Sequence, residues 1–238
     1  MSLQYYAAPQ SINGGFCVLD REQSHHLTAV ARCSTGARVR IFDGKGRAYE
    51  AEIASSSQGL VSCKILRELI VPAPALKVTL CFAPVSRQAV EQLLDQCTQL
   101  GAAGFQPVSM ARCVSDLSKS WENKAERWQS LLTASCKQCG RADIPVLHAP
   151  IRFSEALKNR VPALIASLGE NAVPLSEGLG ILRNKDAGLK ELSVFVGPEG
   201  GFAPEELALV QTAGAISVAL GPYVLRAETA CAAVCAAL

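Results

Sequence analysis

The chain has 238 residues, 49% hydrophobic and 18% charged, with 23 Lys and Arg against 21 Asp and Glu. That composition excludes a disordered polymer, which combines few apolar residues with strong net charge. It holds no apolar run of the about 18 residues that a membrane span needs, and a net charge of +2 is too small for a uniformly basic polyanion binder, although a local patch remains open.

The opening residues, MSLQYYAAPQ, carry neither a basic nor an apolar signal region, so no signal peptide is expected and the cytoplasm is the expected compartment. Ten cysteines are too dilute for a disulfide scaffold in a chain of this size. The single CxxC, Cys136 to Cys139, has no second copy at zinc-finger spacing, and His25, His26 and His148 stand at no ligand spacing to it. Buried thiols are therefore expected rather than a metal.

In chain order, the first seventy residues read as β. Ala37–Phe42 alternates, Asp43-Gly44-Lys45-Gly46 is a turn, and Arg47–Ile53 alternates again. After a break at Ser55-Ser56-Ser57, a third strand is expected over Gln58–Leu66. Alternation with marked turns predicts antiparallel strands with one wet face. Val71-Pro72-Ala73-Pro74 interrupts both helix and strand and predicts a boundary near residue 73.

Beyond it the rhythm changes. An apolar strand over Lys77–Phe82 precedes helical spacing over Ser86–Leu100, then a strand near Phe105–Val108 and a helix over Ser120–Cys139. Further strands are predicted at Ala163–Ala166, Leu192–Val196 and Ile216–Leu220, with helices near Pro204–Thr212 and Arg226–Leu238. Glu170–Lys190 reads as loops with a short helix. Strands alternating with helices predict a largely parallel α/β sheet. Between Arg112 and Arg141 six basic residues meet three acidic ones, with Trp121 and Trp128 interleaved. This stretch is either a polyanion surface or the solvated face of an amphipathic helix.

Two constellations carry chemistry. Val194-Phe195-Val196 ends in Gly197-Pro198-Glu199-Gly200-Gly201-Phe202, and Pro204-Glu205-Glu206 opens a helix. Loops at the carboxyl ends of parallel strands are where ligands dock, and glycine lets backbone approach them closely. The segment lacks GxGxxG and the lysine of a phosphate loop, which argues against a nicotinamide oxidoreductase. In the second, Leu220-Gly221-Pro222-Tyr223-Val224-Leu225-Arg226-Ala227-Glu228-Thr229-Ala230 ends a strand and opens a helix of small residues. Arg226 and Glu228 are either site residues or an ion pair at a helix start.

Together these loops resemble the RsmE family, SPOUT-class 16S ribosomal RNA uridine-N3 methyltransferases. GPEGGF followed by LG-x-x-x-LR-x-ETA is the paired signature. Further matches are His25-His26-Leu27 with Arg32, Phe42–Gly46, Leu100-Gly101, Arg112, Lys124–Trp128, and Cys136–Arg141 on an EQ-x-GR box. Gln96 and Gln99 stand where the family carries Lys and Glu, and Gln4 where it often carries Arg.

The resemblance implies an N-terminal PUA-like RNA-binding β-barrel over 1–72 and a C-terminal SPOUT α/β domain over 73–238 with a deep trefoil knot. It implies S-adenosylmethionine as cofactor, bound by Gly197, Pro198, Glu199, Gly200, Gly201, Leu220, Gly221, Val224, Leu225 and Thr229. His25, Arg32, Lys45, Arg112 and Arg141 would contact RNA, the substrate being 16S rRNA in the 30S subunit. Arg226 would stabilise an ionised uridine, with Glu228 a conceivable base. A homodimer is expected, with the Ala- and Cys-rich final helix on its axis and neither metal nor membrane involved. The rivals are another SPOUT enzyme acting on tRNA and a non-catalytic RNA-binding relative.

Overall fold

Apolar residues at every second position place Val39 and Ile41 inward and Arg38 outward on a strand, and this pattern organises the first part of the chain. The computed structural model describes residues 4–113, 117, 121–169 and 171–238. It forms two compact units, residues 1–73 with 133–144, and residues 74–132 with 145–238.

The first unit contains β1 (Gln4–Tyr6), β2 (Ile12–Asn13), β3 (Phe16–Val18), β4 (Arg38–Phe42), β5 (Ala48–Ser57) and β6 (Leu60–Leu69). They make one sheet in the order β1-β4-β5-β6-β3-β2, antiparallel except where β1 meets β4. A short helix α1 (Arg21–His25) runs on into a π-helical turn, His26–Val30. Asp20 caps α1 by accepting the Gln23 N–H at 2.7 Å. Tyr5, Leu19, Leu27, Ile41, Ile53 and Val61 close the core.

The serine break expected at residues 55–57 is not one. Those serines continue β5, pairing with Ser62, Val61 and Leu60, and the chain turns at Gln58-Gly59. Both turn residues have positive φ, 53° and 77°, as a two-residue turn that matches strand twist requires. Gly59 adopts that backbone freely, and Gln58 follows it.

Residues 133–144 join this unit for a packing reason. Cys136 and Ala142 are buried with Phe42 and Ala48, and Ile144 packs against them. Gln4, 5% exposed, donates through Nε2 to the carbonyls of Cys136 and Arg141 at 3.2 and 2.7 Å. A single cut near residue 73 does not express this return of the chain.

The second unit holds β7 (Lys77–Phe82), α2 (Arg87–Gln99), β8 (Gly104–Ser109), the start of α3 (Trp121–Cys139), β9 (Val146–Leu147), β10 (Ile151–Arg152) and α4 (Phe153–Asn159). It continues with β11 (Ala163–Ala166), β12 (Val173–Pro174), α5 (Leu175–Lys185), β13 (Glu191–Val196), α6 (Pro204–Thr212), β14 (Ile216–Ala219) and α7 (Ala227–Ala237). The predicted helix start at Ser120 lies outside the described residues. The strands run parallel in the order β10-β8-β7-β13-β11-β14-β12, with β9 beside β8.

On one face Cys81, Val108, Ile165 and Phe195 pack with Phe153, Leu157 and Val210 of α4 and α6. On the other, α7 packs on α2, β7 and β13. The buried residues of α7 are Ala227, Ala230, Cys231 and Val234, so one face of the helix is used inside the chain. Burial pushes the Cys231 thiol well above its ordinary pKa.

Residues 170–190, expected to be mostly loop, contain the eleven-residue helix α5. A β-carbon at Gly178 of this helix would collide with Val218 of β14. Gly178 lets helix and strand approach.

Candidate functional site

Three strands lie side by side in the order β13, β11, β14, so the segments after them, residues 197–201, 167–169 and 220–226, emerge along the same sheet edge. That is the carboxyl edge, where an open α/β sheet binds ligands.

The first loop has a geometric reason for two of its glycines, Gly197 and Gly201. A β-carbon at Gly197 would lie 3.1 Å from the ring of Phe202, which folds back over it. Gly201 sits at φ 67° and donates its N–H to the Pro198 carbonyl at 2.8 Å, a left-handed turn position that costs other residues about 1–2 kcal/mol. Gly200 has an exposed carbonyl edge to which Arg112 Nη1 donates at 2.6 Å. Arg112, expected to meet RNA, therefore stands against the glycine loop.

Glu206 holds the same loop from below. It is 7% exposed, and its two oxygens accept the N–H of Ala111 and the N–H of Ala203, both at 2.8 Å. Ala203 is the residue before α6, so one carboxylate both caps that helix and ties it to the segment after β8. Sequence reading had seen only an acid complementing a helix dipole. The E three residues after the cap position was the available signal; the tie to Ala111 had none.

The loop after β14 is open. Tyr223 and Val224 are 79% and 83% exposed, and Arg226 is the exposed residue that precedes α7, with extended backbone (φ −65°, ψ 154°). Among the described residues Arg226 makes no ion pair. The ion pair with Glu228 left open by the sequence is therefore absent. Glu228 is half-buried in the first turn of α7, and Thr229 is exposed beside it. The segment Ser167-Leu168-Gly169 between the two loops was not expected to take part. Leu168 is 51% exposed there, and nothing lies within 4 Å of a β-carbon built at Gly169 or Gly221.

This edge suits a compound such as S-adenosylmethionine. Open glycine backbone at 169, 201 and 221 leaves room for close approach, Leu168 and Val224 are exposed apolar surface, and both acids, Glu199 and Glu228, and arginines, Arg112 and Arg226, border the edge.

An RNA methyltransferase domain model matches residues 72–238, and an RNA methyltransferase PUA domain model matches residues 19–66. The chain is 30% identical to ribosomal RNA small subunit methyltransferase E of Mycobacterium bovis over 98% of this chain and 89% of that one. The chain belongs to the ribosomal RNA small subunit methyltransferase E family. The Synechocystis member is also 30% identical, over 97% of this chain and 75% of that one. The structure of the Neisseria gonorrhoeae member bound to S-adenosylmethionine superposes with a TM-score of 0.87 at 27% identity, covering 100% of this chain and 96% of that one. A Legionella pneumophila structure with the bound cofactor gives 0.85 at 25% identity, with the same coverage.

The other residues expected to contact RNA lie in the first unit. His25, Arg32 and Lys45 are exposed, and Arg32 has the left-handed backbone (φ 52°) that ends the π-turn. Lys45 lies in a turn that Asp43 holds by accepting the N–H groups of Lys45 and Arg47 at 2.7 and 3.0 Å. Arg141 is different: its side chain is 11% exposed and grips Asp143 through Nε at 3.0 Å and Nη2 at 2.6 Å.

The basic stretch from Arg112 to Arg141 does not present one face. Arg127 pairs with Glu91 at 2.8 Å, Arg112 and Arg141 are engaged as above, and Lys137 lies over the Tyr5 ring at 5.6 Å. Burial holds Lys137 below its ordinary pKa, and Glu22 and Asp20 oppose that shift. Lys119 lies outside the described residues. Trp128 is core, 3% exposed, and packs edge-on to the half-buried Trp121 and beside Phe82. Among the described residues no three His, Cys, Asp or Glu side chains form a metal cluster, and no helix is long and apolar enough to cross a membrane.

Proposed function

We propose that the chain methylates N3 of a uridine in 16S rRNA of the small ribosomal subunit, with S-adenosylmethionine as methyl donor. The observation that carries this reading is the convergence of residues 197–201 and 220–226 at one edge of the parallel sheet, in a family whose Neisseria gonorrhoeae member carries S-adenosylmethionine. Gly197, Pro198, Glu199, Gly200, Gly201, Leu220, Gly221, Val224, Leu225 and Thr229 would hold the cofactor, and residues 167–169 belong with them. When bound, it supplies an electrophilic methyl group on sulfur.

The protein's own groups then manage orientation and a proton. Uridine N3 is a nucleophile only once its weakly acidic proton leaves. Arg226, exposed and without an ion pair among the described residues, stabilises the uridinate; it cannot be the base, because a guanidinium does not deprotonate at working pH. Glu228, half-buried in the first turn of α7, is the group to which we assign the proton. Because N3 lies on the pairing edge, the target base must be unpaired or extruded. His25, Arg32 and Lys45 of the first unit supply exposed donors for RNA phosphates.

The first unit, a six-stranded and almost wholly antiparallel sheet with its own buried clusters, supports a PUA-like domain, and the order β13-β11-β14, in which the earliest strand is central, supports the trefoil-knotted SPOUT crossover. We assign the work to the cytoplasm, where ribosomal subunits mature, and to a homodimer. Ala232, Ala233 and Cys235 of α7 remain half-covered for that contact, and light scattering is expected to give about twice 25.2 kDa.

Mapping modified nucleotides in a strain lacking the protein decides the substrate. Loss of one N3-methyluridine from 16S rRNA is expected, and a loss confined to tRNA contradicts the reading. Gly200→Val probes the cofactor loop separately. A β-carbon there meets only the Arg112 stem, at 3.4 Å or more, so the fold is expected to survive while S-adenosylmethionine affinity falls at least tenfold by calorimetry. Unchanged affinity in the folded variant would remove the loop from the site.

A further inference from the structure

The opposite edge of the same sheet holds a cavity of about 290 Å³, at the starts of β7, β8 and β13. Its floor is one register row: Gly104 pairs with Thr79, and Thr79 pairs with Ser193. Residues in register across a parallel sheet point to the same face, so two hydroxyls and a bare glycine lie side by side. A β-carbon at Gly104 would be 3.2 Å from Thr79 Oγ1 and 3.5 Å from His148 Nε2. Both polar atoms thus converge over Gly104, and neither side chain has a hydrogen-bond partner among the described residues.

Arg160 forms the wall. Its Nη2 donates to Oε1 of Gln106 at 2.9 Å. Gln106 is 2% exposed and is itself fixed by donating to the Ala149 and Pro107 carbonyls at 2.6 and 3.1 Å. A buried amide therefore holds the guanidinium in place, and its remaining N–H groups stay available. Lys77 and Glu191 pair in register at the rim, with no ion pair between them among the described residues. The charges facing His148 are thus Arg160, Lys77 and Glu191, two positive against one negative. Burial, and then Arg160, hold the His148 pKa below its ordinary value.

We propose that this cavity is a second ligand site that takes a phosphate group, bound by the Thr79 and Ser193 hydroxyls, the His148 imidazole and the Arg160 guanidinium. Two neutral donors, one fixed guanidinium and one imidazole able to gain a proton match a tetrahedral oxyanion. Because it lies at the amino ends of the strands, the site is separate from the loops assigned to the cofactor and does not depend on that assignment. The phosphate is either a free ion or an RNA backbone group.

Sulfate, whose charge is constant from pH 5.5 to 8, is the first probe for the full-length protein. An anion that favours protonated His148 must raise the pKa of that group, and a shift of one unit is a tenfold difference in affinity. The His148 C2–H resonance, assigned with His148→Gln against the other two histidines, is expected to titrate about one unit higher in sulfate. Sulfate affinity by calorimetry is expected to be tighter at pH 5.5 than at pH 8, by up to about tenfold. Thr79→Val, close to isosteric, should weaken sulfate at least fivefold, and Arg160→Gln at least tenfold. A His148 shift with inorganic phosphate and sulfate supports the site with a free ion as its source. A shift with a short oligouridylate alone supports it with the RNA backbone as its source. No shift with any of the three overturns the proposal, as does an unchanged shift in both variants.

Discussion

Arg226→Ala is expected to lower single-turnover methylation of 30S subunits at saturating S-adenosylmethionine by roughly a hundredfold, the scale of removing one donor to a developing oxyanion. The melting temperature and the cofactor affinity should stay as they are. Arg226 precedes α7 with an exposed side chain and no ion pair among the described residues, so truncation removes no contact that the fold uses. Lys should restore the rate only in part, because an ammonium keeps the charge but loses the planar fork. The opposite pattern, a lower melting temperature together with weaker cofactor binding, belongs to a structural arginine. Turnover near that of the unaltered protein removes Arg226 from the mechanism.

The strand, turn and helix that frame the candidate site were legible in the sequence because they depend on short-range rules. Val194-Phe195-Val196 is a buried strand, Gly197 and Gly201 end it because one meets Phe202 and the other needs positive φ, and Pro204 opens α6. Each of these is a local constraint, so each leaves a local trace. The same holds for β7, α2 and β14, whose apolar spacing and flanking breakers lie within a few residues.

The illegible parts are those decided at long range. The short strands β1, β2 and β3 lack length for a pattern, and partners as far away as Arg40–Phe42 and Ser62–Lys64 define them. Helix α5 carries Gly178 because Val218 of β14, forty residues on, lies against it. The basic run from Arg112 to Arg141 reads as one charged face, yet its members turn to Gly200, Glu91, Tyr5 and Asp143. Gln4, at a position where the family often carries arginine, is a buried clasp rather than an RNA contact.

Glu206 is the strongest case of this long-range kind, and its removal should have the largest effect on stability. Its carboxylate accepts from Ala203, three residues before it, and from Ala111, 95 residues before it. Glu206→Ala leaves both N–H groups without an acceptor in a site only 7% exposed. At about 1.5 kcal/mol or more for each bond to a charged group, the loss is about 3 kcal/mol. For a chain of this size that lowers the melting temperature by roughly 6–12 °C. Because Ala203 and Arg112 flank the Gly197–Gly201 loop on either side of this clasp, S-adenosylmethionine affinity should also fall, by about tenfold if holding the loop costs about 1.4 kcal/mol. Glu206→Gln keeps one oxygen and sets an amide N–H₂ against the other donor, so it should fall about midway. Glu205→Ala, on the exposed side of the same turn, removes neither bond and should leave both measurements unchanged. Equal melting temperatures for Glu206→Ala and Glu205→Ala would show that the clasp does not hold the loop.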